Sequence, residues 1–213
     1  MKIFVHGSGH RAASWKQTLA SMKNNADIVC PELSSLTGET EATYANLYSA
    51  FSEYCDGAGG GIHLCGLSLG GILAMNYASD HPDKVGSLVL IGTPHKIPGA
   101  AFALQHLVFR LLPKSVFRNM AFDKKNTFVL GNSMKRLDLT DMVRNIVCPT
   151  LIVCGEKDRA NIASARFLAQ NIGGSALRIV ENTGHVVSEE NPEALAKILD
   201  EYYEAIMSKT GRN

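Results

Sequence analysis

Six short apolar runs recur along this chain, separated by stretches with the period of amphipathic helices. The runs are Lys2–His6, Asp27–Cys30, Ile62–Cys65, Ser87–Ile91, Thr150–Cys154 and Leu177–Val180. The helical patterns fall at Ser14–Lys23, Glu41–Tyr54, Gly70–Ser79, Asn161–Asn171 and Pro192–Met207. Strands that are apolar along their length need cover on both faces, and intervening helices supply it. We therefore expect an α/β architecture with six essentially parallel strands and helices on both sides. Right-handed crossovers would bring every strand's C-terminal end to one edge, where ligands bind in such sheets.

One interval breaks the alternation. From Pro94 to Asn145 no strand pattern is visible, and the stretch is too long and too apolar for a plain loop. Phe102, Leu104, Leu107, Val108, Leu111 and Leu112 form one apolar helical face, and Val116, Phe117 and Met120 form another. The expectation is a single domain over residues 1–213, carrying a small helical cap inserted at about 94–145. The cap is also where the positive charge lies. Between Lys96 and Arg144 there are nine Lys and Arg against three Asp, in a chain of formal net charge +1. Such charges commonly form a solvated face, and they also suit an anionic acyl group or surface.

That overall balance excludes a general nucleic-acid binder, which carries a strong basic excess. The apolar run at the start is too short for a signal peptide, and no stretch reaches the roughly 18 apolar residues of a membrane span. Cys30, Cys55, Cys65, Cys148 and Cys154 are odd in number and widely spread, which suits reduced thiols. We expect a cytoplasmic protein with no stable membrane association. No histidine pair has metal-ligand spacing, and Cys148 and Cys154 bracket one strand, so neither a metal nor another cofactor is expected. Gly57–Gly61 precedes a strand and lacks the following Lys-Ser or Lys-Thr of a phosphate loop.

Chemistry concentrates at the ends of the runs. Ile62–Cys65 leads into Gly66-Leu67-Ser68-Leu69-Gly70, and a helical pattern follows at once. Strand, sharp turn and helix are the context of a nucleophile elbow, which exposes one serine hydroxyl at the strand end. A serine needs a base within reach, and an imidazole oriented by a carboxylate suits that task. The fifth run leads into Gly155-Glu156-Lys157-Asp158 and the sixth into Glu181-Asn182-Thr183-Gly184-His185. Both would reach the edge that carries Ser68. Asp158 is the preferred acid, with Glu156 as the fallback. After the first run, His6-Gly7-Ser8-Gly9-His10 offers a tight turn with an N–H facing the same edge. His10 and Trp15 could reach the pocket, although packing is the expected role of Trp15. His63, His81 and His106 call for no catalytic role.

These pieces, with Asn191-Pro192-Glu193 opening the last helical pattern, span almost the whole chain and resemble an α/β-hydrolase-fold serine hydrolase. The chain departs from larger members in starting at the strand that feeds the oxyanion loop. Its loop reads His-Gly-Ser-Gly rather than the His-Gly-Gly-Gly of one esterase branch. The resemblance implies that Ser68 is the nucleophile, His185 the general base and acid, and Asp158 its orienting partner. It implies that the backbone N–H groups of Ser8 and Leu69 form the oxyanion hole. The implied activity is cleavage of a carboxylic ester or related small acyl compound through an acyl-enzyme. Related chemistries on the same triad are C–C bond hydrolysis and hydroxynitrile lysis, and a non-catalytic ligand receptor is a further alternative.

Overall fold

The computed structural model describes residues 1–97, 99 and 109–210. Six strands, β1 (Lys2–Val5), β2 (Ile28–Val29), β3 (Ile62–Leu67), β4 (Val85–Ile91), β5 (Thr150–Gly155) and β6 (Ala176–Val180), form one sheet in the order β2-β1-β3-β4-β5-β6. Every pairing is parallel. Among the described residues the helices include α1 (Lys16–Ser21), α2 (Leu33–Thr37), α3 (Tyr44–Gly57), α4 (Leu69–Asp80), α5 (Lys124–Met134), α6 (Ile162–Asn171), α7 (Val187–Glu190) and α8 (Pro192–Thr210).

Successive strand side chains point to opposite faces, and this divides the core in two. Ile3, Val5, Leu64, Leu88, Leu90 and Ile152 pack on one face with α3, α4 and α6 residues such as Phe51, Leu73 and Leu168. Phe4, Cys65, Leu67, Val89, Leu151 and Val153 pack on the other with Trp15, Leu195 and Leu199. All five cysteines are free thiols, four of them buried. The central helix α4 is buried from Leu69 to Ser79, so its sequence lacks a polar stripe.

Several helices differ from the sequence expectation in local ways. The stretch expected as one helix from Ser14 to Lys23 is a 3-10 turn at Ala12–Trp15 followed by α1. The helix expected from Glu41 begins at Tyr44, because the Thr43 side chain accepts the N–H of Asn46 and caps it there. The short helices α2 and α7 lie in stretches where periodicity has too few residues to register.

The interval between β4 and β5 carries α5 and 3-10 turns at Val116–Asn119 and Met142–Asn145. Its limbs are stitched together by an antiparallel bridge between Lys96 and Asp138. The Leu139 N–H donates to the His95 carbonyl and the Ile97 N–H to that of Leu137. Phe122, Leu130, Met134, Val143 and Ile146 join the first core cluster, so the described part of the insertion shares its core with the sheet. Phe102, Leu104, Leu107 and Val108 lie outside the described residues, as does His106. Among the described residues no helix is long and apolar enough to cross a membrane.

Candidate active site

Register determines what meets at the sheet edge. Val5 pairs with Gly66, Leu67 with Ile91, Ile91 with Val153 and Gly155 with Val180. The loops after β1, β3, β5 and β6 therefore emerge side by side, and they carry Ser8, Ser68, Asp158 and His185.

Ser68 occupies the single residue between β3 and α4, at φ 54° and ψ −112°. A non-glycine residue adopts positive φ only where its surroundings hold it there. The Ser68 N–H donates to the Ile91 carbonyl and its own carbonyl accepts from Ile72. Glycines on both sides make the turn possible. A Cβ on Gly66 would sit 2.3 Å from the Gly70 oxygen, and one on Gly70 would sit 2.2 Å from the Val5 oxygen. Leu69, as the first residue of α4, has an N–H with no partner inside the helix, directed at the end where the macrodipole is positive.

The loop after β1 leans on this turn: a Cβ on Gly7 would contact the Ser68 Cβ at 3.5 Å. His6, fully buried, pins that loop. Its Nδ1 bonds the Gly7 carbonyl at 2.9 Å, and its Nε2 accepts the Leu33 N–H at 3.1 Å. Burial lowers the His6 pKa, and this neutral tautomer satisfies both bonds.

Opposite Ser68, Nδ1 of His185 lies 2.7 Å from Oδ2 of Asp158. Burial opposes charge on Asp158, but its bonds to His185 and Asn161 outweigh that penalty and hold its pKa below the ordinary carboxylate value. Glu156 is not beside His185; its carboxylate accepts the Asn182 N–H and ties the loops after β5 and β6 together. Two features hold His185 in place. The Glu190 carboxylate accepts the N–H groups of Gly184 and Val186, the residues on either side. Gly92, at φ 51°, leaves room beneath the pair, where a Cβ would come within 3.0 Å of the His185 ring. The Ser68 hydroxyl makes no hydrogen bond among the described residues. Such bonds are often long before substrate binds.

A cavity of about 370 Å³ opens at this edge. Ser8, Ser68, Leu69, Asp158, Asn161 and His185 form one end, and Ile72, Ile97, Phe109, Phe122, Leu130 and Met134 make the rest largely apolar. Among the described residues no group of three His, Cys, Asp or Glu is placed to hold a metal.

The sequence model of the alpha/beta hydrolase family matches residues 3–198. The chain belongs to the alpha/beta hydrolase family. Monoacylglycerol lipase abhd6-A of Xenopus laevis is 23% identical over 97% of this hydrolase and 76% of its own length. A thermophilic esterase from Thermogutta terrifontis superposes with a TM-score of 0.75 at 20% identity, covering 96% of this chain and 89% of its own. The enol-lactonase of Burkholderia xenovorans LB400 does so with a TM-score of 0.77 at 20% identity, covering 95% and 91%.

Trp15, His63 and His81 of this hydrolase are engaged in packing or hydrogen bonds outside the cavity lining. Trp15 is fully buried, edge-on to Phe4 with ring centroids 5.1 Å apart. His63 bonds the Ser87 hydroxyl at 2.8 Å and His81 packs on Tyr77. His10 is partly buried near His185, and burial lowers its pKa. Sequence reading missed Glu190 and Asn161, whose only advance signal was a short polar residue or carboxylate near each motif. It also missed Phe122, Leu130 and Met134 as cavity wall.

Proposed function

We propose that this hydrolase cleaves carboxylic esters of apolar, short to medium acyl groups through an acyl-enzyme on Ser68. The observation that carries this is one edge holding the strained Ser68 turn, the Asp158–His185 pair and an apolar cavity. Ser68 Oγ attacks the ester carbonyl and His185 Nε2 takes its proton. Asp158 holds the Nδ1 proton and stabilises the imidazolium as it forms. Charge developing on the carbonyl oxygen meets the N–H groups of Leu69 and Ser8. Collapse expels the alcohol, which takes the proton back from His185, and water then releases the acid by the same route.

The cavity's volume is that of roughly a dozen water molecules at about 30 Å³ each. Its apolar end fits the acyl chain, since every side chain named there lacks charge. The lipase and esterase among its relatives support the same class of bond. The test is a chain-length series of activated esters followed before the steady state. A burst equal to the enzyme concentration is expected, with kcat/KM rising along the series and then levelling. No turnover across the series, with no acylated protein trapped from it, would overturn the acyl-enzyme reading in favour of lyase chemistry or of a receptor.

A further inference from the structure

Asn161 stands at the N-cap of α6, where an Asn side chain ordinarily accepts a hydrogen bond from the first helical turn. Here it makes no such bond. Its Nδ2 lies instead 2.9 Å from Oδ1 and 3.0 Å from Oδ2 of Asp158, and 3.2 Å from Nδ1 of His185. The two carboxylate oxygens are too close together to take separate bonds from one nitrogen, so a single N–H is shared between them. Turning the amide over would set its oxygen against the carboxylate, two acceptors facing each other. Nδ1 does not compete as an acceptor, because it carries the proton that closes its 2.7 Å bond to Oδ2. The residue is buried, yet it lines the cavity.

The geometry points to Asn161 as a positioning residue for the Asp158–His185 pair. Its shared N–H fixes the carboxylate plane so that Oδ2 stays on Nδ1, and it draws off part of the carboxylate's charge. This rests on the roles proposed above for Ser68, His185 and Asp158. α6 forgoes its side-chain cap to supply it. The other ionisable groups around the pair are few. His10, from the loop after β1, feels His185 and Glu189. Glu190 of α7 is engaged with the backbone. The buried Cys154 thiol is pushed up to about 12, first by burial and then by Asp158.

Asn161→Leu keeps the bulk and removes the donor; Asn161→Ala removes it with no new bulk, and Asn161→Ser restores a shorter donor. In Leu and Ala, kcat should fall about 10- to 100-fold with KM within about twofold. The acid limb of kcat/KM should move to higher pH, because an unshared carboxylate holds the imidazolium proton more firmly. Ser should recover part of both. In the resting enzyme, the downfield Nδ1–H proton resonance of His185 should shift in Leu and Ala, a readout that needs no turnover. Folded variants with native kcat, acid limb and resonance would overturn the inference, while Ser68→Ala still abolishing turnover would leave the proposed mechanism standing. Turnover surviving in Ser68→Ala would refute that mechanism instead, with the resonance still reporting on Asn161.

Discussion

Ser68 is held in a backbone conformation that only its surroundings justify, and its neighbours carry the cost of keeping it there. Ser68→Ala should lower ester turnover by about 10⁴- to 10⁶-fold, the scale of losing a triad nucleophile. His185→Ala should cost a similar amount and Asp158→Asn somewhat less; steady-state rates on one activated ester check all three. If Asp158→Asn were silent and Glu156→Gln crippling, the acid would be misplaced. The residues proposed to react were legible in sequence because each follows a run and belongs to a short motif. Asn161 and Glu190 were not, because what they do depends on which loop lies opposite. Asn161 reads as a helix cap until the sheet brings His185 beside it. Glu190 reads as a surface carboxylate until its own chain turns back on it.

At the scale of elements, the strands followed directly from their apolar runs, whereas the faces presented by the inserted segments did not. Periodicity grouped Val116, Phe117 and Met120 as one apolar helix face. That segment is a 3-10 turn, and Phe117 is buried edge-on to Phe109 at 5.8 Å, outside the cavity lining. Both sides of a thin layer over an apolar cavity are apolar, so pattern alone does not tell its outer packing from its cavity face. Four residues of the described wall come from α5, which presents Thr127, Leu130, Gly131 and Met134, spaced three residues apart or adjacent. Each acyl methylene buried there should raise kcat/KM roughly fourfold, from about 0.8 kcal/mol. Leu130→Ala should move the chain-length optimum to longer esters, and Gly131→Val should move it to shorter ones. An optimum unchanged in both variants would show that α5 does not bound the acyl site.

At the scale of the whole molecule, four histidines among the described residues are held below their ordinary pKa, with burial the leading cause in each: His6, His10, His63 and His95. They take up protons when the chain unfolds, so below the unfolded value of 6.5 the unfolded state binds more protons and stability falls. Asp158 works in a lower window. Its depressed pKa contributes stability above 3.8 that is lost only as pH falls through the folded value. Tm should therefore be level between about pH 7 and about 8 and decline from about pH 6.5 toward 5, before carboxylates titrate. Equal or higher Tm at pH 5.5 than at pH 7.5, by calorimetry, would contradict the neutral burial of these rings. Register across the sheet is what gathers Ser8, Ser68, Asp158 and His185 from distant parts of the chain, and the function we propose for them is to form an acyl-enzyme. The direct measurement is intact-protein and peptide mass after brief mixing with an activated ester and acid quench. One added acyl mass per chain is expected, mapped to Ser68 and absent from Ser68→Ala; an acyl mass on another residue, or none during a measured burst, would contradict acylation at Ser68.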